Sequence, residues 1–112
     1  MTRFAFDADE PGAVAVVRLH GELDLHATGD FELELLELAD APGLEVLALD
    51  LRRLDFMDSG GLCTIIAVAR RLQAAGRRLV LVRGPHAVMR VFELTGMTER
   101  LEFVDAPDHV HS

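Results

Sequence analysis

Lysine is absent: all 11 basic residues are arginine. A P-loop lysine, a Schiff-base lysine and a kinase-type phosphate lysine are therefore excluded, and with them whole classes of enzyme. Cysteine is reduced to Cys63, which rules out an internal disulfide framework and a multi-thiolate metal site. Its place in an apolar helical stretch suggests a small packed side chain. Positive charge is scarce, with a net charge of −8 and a sequence pI near 4.9. That balance argues against a binder of phosphate backbones, which needs clustered cations to displace counterions, so nucleic acid is not an expected partner. Long apolar runs are missing as well. None reaches the roughly 18 residues needed to span a membrane, and residues 1–7 lack the apolar core of a signal peptide. The expectation is a soluble, cytoplasmic protein without a membrane partner.

What remains is 112 residues, a length that buries enough surface for one domain to fold without staples. Arg3 to Asp7 reads as a short strand, Asp9-Glu10-Pro11-Gly12 as a turn, and Ala13 to Leu23 as a longer strand whose second half alternates polar Arg18, His20 and Glu22 with apolar neighbours. Thr28 to Ala39 carries Phe31, Leu35 and Leu38 on one helical stripe, surrounded by Asp30, Glu32, Glu34 and Glu37. This acidic face is expected to be solvated, with a basic partner groove as the alternative. A strand over 46–50 follows, then a helix after Ser59 with apolar residues at 62, 65, 66, 69 and 72. Gly76 is placed as its C-terminal cap before the strand 78–82. Pro85 opens a last helix that buries Val88, Val91 and Phe92, and 101–104 forms a final short strand. The tail 105–112 is polar and expected to be flexible. The order after the opening hairpin calls for an α/β fold with a mixed, mostly parallel sheet and helices packed against it.

Such sheets gather functional loops at the carboxyl ends of their strands. Two loops stand there: Gly21-Glu22-Leu23-Asp24 and Phe56-Met57-Asp58-Ser59-Gly60-Gly61. If their strands are neighbours, Asp24, Asp58 and Ser59 share one edge. Ser59 is the residue of interest, because an apolar strand ends and a helix begins there, and a helix N-terminus favours negative charge. Asp58-Ser59-Gly60-Gly61 matches the sequence around the active serine of chymotrypsin-like proteases. The chain is far shorter than that two-barrel scaffold, and neither His20 nor His26 stands in a protease-like context. The Gly-x-Ser-x-Gly elbow is missing too, since residue 57 is Met. Two readings remain open. In one, Ser59 accepts a phosphate of about −1.5 to −2 charges, set against the Asp58 and Asp24 carboxylates as a binding switch. In the other, Asp58 or Ser59 is an N-cap worth about 1 kcal/mol. Gly60 and Gly61 cost a helix about 1 kcal/mol each relative to Ala, which suits a backbone that must be closely approached.

Gly21-Glu22-Leu23-Asp24, Leu54 to Leu62 and His86 to Met97 together resemble the three signature segments of the anti-sigma factor antagonists, the bacterial branch of the STAS domain family. The resemblance covers nearly the whole chain. It implies a small, non-enzymatic α/β domain without a cofactor, which binds an anti-sigma factor, usually a serine kinase, and so releases a sigma factor. It also implies that the kinase inactivates the domain by phosphorylating Ser59 and that a serine phosphatase restores it. Asp24 and Asp58 match the acidic residues of the family's site, and Gly60, Gly61, Leu62 and Cys63 continue the expected partner-binding surface. Gly60 stands where many members carry a second serine. Ala27 replaces a frequent threonine, so that Thr28 is expected to cap the first helix one residue late. The alternative within the resemblance is a non-phosphorylated STAS scaffold subunit of a stress-signalling or transport assembly. On the helix after Ser59, Cys63, Ala67, Arg70 and Ala74 lie away from the apolar stripe and mark the flank for a partner. His109 and His111 have no supporting ligand nearby, and no metal is expected.

Overall fold

The computed structural model describes residues 4–9, 12–24 and 26–111, the side chains of Thr28, His109 and His111 excepted. Arg3, Glu10 and Pro11, expected in the first strand and the turn, lie outside the described residues, as do Leu25 and the two tail histidine side chains. Strands β1 (Ala5–Ala8) and β2 (Val14–Leu23) form the antiparallel opening pair. Helix α1 (Thr28–Ala39), strand β3 (Val46–Met57), helix α2 (Ser59–Ala74), strand β4 (Arg78–Val82), helix α3 (His86–Leu94) and strand β5 (Glu102–Val104) follow. The sheet order is β1-β2-β3-β4-β5, with every pair after the first parallel. This is the mixed, mostly parallel α/β architecture expected.

The two faces of the sheet are unequal. Leu19 and Leu23 from β2, Leu47, Leu49, Leu51 and Leu54 from β3, and Leu79 and Leu81 from β4 join all three helices in one core. The helices contribute Phe31 and Leu35, then Ile65, Val68 and Leu72, then Val88 and Phe92, as the 3.6-residue period demands of helices that bury one stripe. On the opposite face Val46, Ala48 and Val80 form a smaller cluster with Val110. Val110 belongs to a 3-10 turn, Pro107–His111, and is 1% exposed. The flexible tail expected over 105–112 is thus corrected for its described part. The sheet's second face carries valines that water would otherwise wet, and one apolar residue among polar neighbours suffices to anchor the turn over them.

Strand β3 is longer than the 46–50 read from apolarity alone. Beyond Asp50 it is paired on one side only, by β2, because β4 ends its pairing at Asp50↔Val82. Arg52, Arg53, Asp55 and Phe56 are exposed there, and the register slips between Arg18 and His20 and between Gly21 and Glu22. No clean alternation survives to announce a strand. The C-cap of α2 is Ala75, one residue ahead of the Gly76 expected; Gly76 follows at φ 72°, where the Arg77 N–H reaches the Leu72 carbonyl at 2.8 Å and the Gly76 N–H reaches Gln73 at 3.0 Å.

Candidate functional site

The parallel pairing of β2 with β3 runs to Leu23↔Met57, so Asp24 and Asp58 leave the sheet from adjacent strand ends. Neighbouring strands lie about 4.8 Å apart, which sets both acids on one edge. A hydrogen bond from the Asp58 N–H to the Leu23 carbonyl, 3.2 Å, ties the two loops. Ser59 is the first residue of α2 and is exposed. Asp58 is the N-cap: its extended backbone, φ −102° and ψ −174°, lets Oδ1 accept from the Gly61 N–H at 3.1 Å. The cap role therefore falls on Asp58, and the serine hydroxyl is left at the rim. Capping takes up the Gly61 N–H, while the Ser59 and Gly60 N–H groups remain at the positive end of the helix dipole.

Asp24 organises the other loop. Its Oδ1 accepts from the backbone N–H of His26 at 3.0 Å and of Ala27 at 3.1 Å. Helix α1 accordingly has Ala27 as N-cap with no side-chain cap bond, and Thr28 is the first helical residue, not the cap expected of it. Ala27 has no side-chain acceptor to offer the first-turn N–H groups, and the Asp24 carboxylate instead closes the turn ahead of the helix by holding the His26 and Ala27 N–H groups.

Gly61 explains one of the two glycines. A Cβ there would fall 2.8 Å from the Leu23 carbonyl oxygen, 2.8 Å from Met57 Cγ and 2.9 Å from Leu23 Cγ. The helix start is pressed against the ends of both strands, and only a residue without a side chain fits. Behind it Thr64 is buried, its hydroxyl donating to the Gly60 carbonyl at 3.3 Å.

The structure divides the expected partner surface. Asp24, Asp58 and Gly60 are partly exposed and Ser59 and Cys63 exposed, but Gly61 is covered and Leu62 is 4% exposed, packed in the main core. Gly61 and Leu62 are thus supports rather than contacts. Cys63 corrects a second expectation, since it is not packed. The stripe that α2 buries runs through Gly61, Leu62, Thr64, Ile65, Val68 and Leu72, and Cys63 points away from it. Arg70 and Ala74 are exposed and Ala67 partly so, which makes that flank accessible as expected. Phe56, placed by the sequence in this loop without a role of its own, is 46% exposed two residues before Asp58 and adds apolar surface to the edge. His20, one of the two histidines considered as a base, has its Nε2 3.1 Å from Asp7. The His20 hydrogen bond first, then that of Arg18, hold the Asp7 carboxyl below the usual carboxylate range. Among the described residues no three metal-ligating side chains stand together, and no helix is long and apolar enough to cross a membrane.

The STAS domain sequence pattern matches residues 5–110, nearly the whole chain. The chain belongs to the STAS domain family. Among its relatives, the putative anti-sigma factor antagonist BtrV of Bordetella bronchiseptica is 32% identical over 79% of this chain and 75% of its own length. The anti-sigma F factor antagonist of Lysinibacillus sphaericus is 29% identical over 73% of this STAS domain and 70% of that protein. In three dimensions the domain resembles the anti-sigma factor antagonist SpoIIAA in its unphosphorylated form, with a TM-score of 0.74 and 26% identity over 94% of this chain and 92% of that one.

Proposed function

We propose that this STAS domain is an anti-sigma factor antagonist: a non-enzymatic, cytoplasmic module that binds a serine-kinase anti-sigma factor, frees its sigma factor, and is switched off when the kinase phosphorylates Ser59. The observation that carries the reading is the exposed Ser59 at the first position of α2, on the edge shared with Asp24 and Asp58. The named functions of the relatives, and the existence of an unphosphorylated form of SpoIIAA, support it.

The electrostatics are balanced for a switch. A phosphate on Ser59 is tolerated at a helix N-terminus, where the first-turn N–H groups and the dipole favour negative charge. It also adds about −1.5 to −2 charges beside two carboxylates, which turns a modestly acidic docking edge into a repellent one for any surface not strongly basic. The switch needs no change of fold. A serine phosphatase completes the cycle, and neither nucleic acid nor membrane enters it.

The test is to incubate the purified protein with ATP and each serine-kinase anti-sigma factor of its source, and to weigh the product. One added phosphate, absent from Ser59→Ala, is expected. Ser59→Asp is expected to bind the kinase about tenfold more weakly or worse, a loss of about 1.4 kcal/mol or more. Phosphate retained by Ser59→Ala, or parental affinity in Ser59→Asp, would overturn the reading.

A further inference from the structure

Strand β3 reaches Ser59 by an irregular path. From Arg18 to Leu23 is five steps along β2, whereas the stretch of β3 paired with it, Asp50 to Met57, takes seven. The first extra residue is taken up where Leu51 and Arg52 stand opposite Leu19 alone, and the second is Asp55. Both are β-bulges, and burial gives the same answer. Leu51, Leu54 and Met57 are three residues apart yet all lie in the main core, which a strict period of two forbids. The stretch has little else to hold it, since beyond Asp50 it is paired by β2 alone.

Asp50 stands at the entry to the first bulge. Among the described residues it is the one charged side chain that is buried, at 5% exposure. Burying a carboxylate is costly unless it is paired and hydrogen-bonded. All the hydrogen bonds it accepts from the described residues come from Arg52, a residue of the bulge. The Arg52 backbone N–H donates to Oδ1 at 3.1 Å, Nε to Oδ1 at 3.0 Å and to Oδ2 at 3.3 Å, and Nη2 to Oδ2 at 2.9 Å. The backbone bond is an Asx turn, in which a side chain replaces the ladder partner that a bulged residue lacks. Gly84 closes in on the same bulge from the loop after β4: a Cβ there would fall 2.5 Å from the Leu51 carbonyl oxygen and 3.0 Å from Leu51 Cβ. We propose that Asp50 is a positioning residue for the phosphorylation of Ser59: by holding the Arg52 N–H it fixes the first bulge, and with it the place of Met57, Asp58 and Ser59 against Leu23 and Asp24. The inference rests on the function proposed above. One strand residue spans about 3.3 Å. A bulge that opens or migrates displaces Met57 from Leu23 by up to that length, enough to break the 3.2 Å bond from the Asp58 N–H to the Leu23 carbonyl.

Asp50→Asn, Asp50→Ala and Asp50→Leu separate this role from stability. All three lose the ion pair with Arg52, but Asn alone keeps an acceptor oxygen for the Arg52 N–H. Leucine puts apolar volume beside the register partner Val82, a replacement that buried ion pairs often tolerate, so it carries the comparison if the alanine variant does not fold. In ¹⁵N spectra of the full chain without kinase, the amides of Met57, Asp58, Ser59 and Gly60 should keep their parental positions in Asp50→Asn and move in the other two. Phosphorylation of Ser59, followed as initial rates where every variant is folded, should keep kcat/KM within twofold of the parent in Asp50→Asn and lose at least threefold in Asp50→Ala and Asp50→Leu. A merely structural role follows stability and groups asparagine with alanine. That grouping in either measurement, unmoved amides in Asp50→Leu, or parental kcat/KM in Asp50→Leu would overturn the proposal. A parent chain that takes no phosphate on Ser59 refutes the function and the positioning role with it, whereas the spectra, which need no kinase, judge the bulge by itself.

Discussion

Replacing Gly61 by alanine sets two known tendencies against each other at one position. In a helix interior the substitution gains about 1 kcal/mol, because alanine loses less backbone entropy than glycine. Here the new methyl carbon would meet the Leu23 carbonyl oxygen and Met57 Cγ at 2.8 Å and Leu23 Cγ at 2.9 Å. Leu23 and Met57 are buried at the ends of two paired strands, and the Leu23 carbonyl already holds the Asp58 N–H at 3.2 Å, so the backbone atom cannot retreat without loosening the link between the two loops. Overpacking of this kind costs about 1–3 kcal/mol. The repulsive part is the larger, for a net loss of up to about 2 kcal/mol. In urea, with a slope of about 2 kcal/mol per molar, the unfolding midpoint should fall by up to about 1 M. Gly29 is the internal control: it also lies in the first turn of a helix, but a Cβ there meets nothing within 4 Å, and its φ is not positive. Gly29→Ala should raise the midpoint, by up to about 1 kcal/mol of stability. If Gly61→Ala proves as stable as Gly29→Ala, the close approach of α2 to the β2 end is not what places Ser59.

Asp58→Ala should cost about 1 kcal/mol through the lost bond to the Gly61 N–H, whereas Asp58→Asn, which keeps an acceptor oxygen, should stay within a few tenths of the parent; equal losses in urea unfolding would refute the cap. Asp50 makes stability depend on pH. Burial pushes its carboxyl up, but the Arg52 guanidinium, the Arg52 backbone N–H and the attraction of the arginine charge together hold it below the usual carboxylate range. A carboxyl depressed in the folded state stabilises above its unfolded value, near pH 3.9, and that contribution is lost as pH falls through the folded value. Asp50→Asn should therefore cost about 1–2 kcal/mol at neutral pH, discounted for the half-exposed Arg52, and the gap to the parent should close under acid; a gap constant with pH would count against the pair.

The edge that carries the proposed switch was legible because its residues lie where apolar periodicity changes from strand to helix, at Met57 and Ser59. Strand adjacency was not, and only the Leu23↔Met57 pairing turns two acidic loops into one site. The helix periods at Phe31 and Leu35 and at Val88 and Phe92 translated directly into burial, since each stripe faces one sheet. On α2 the buried line passes through Gly61 and Thr64, residues that no hydrophobicity pattern would nominate; periodicity places Leu62 in the buried stripe and only the resemblance makes it a contact, while for Cys63 the flank reading agrees with its exposure and the packed reading does not. The outer half of β3 and the turn that Asp24 closes ahead of α1 escaped for a common reason. Both depend on which backbone groups find partners, and a side-chain pattern does not record that.

The seating of Val110 makes the second layer of the domain a closure between distant parts of the chain. Because this side chain lids the valines and Ala48 that β2, β3 and β4 present away from the helices, a version of the protein cut ahead of residue 107 would keep every strand and helix yet expose an oily strip beside a sheet edge. Fragments trimmed there invite self-association that owes nothing to regulation, and purification tags belong beyond that last turn.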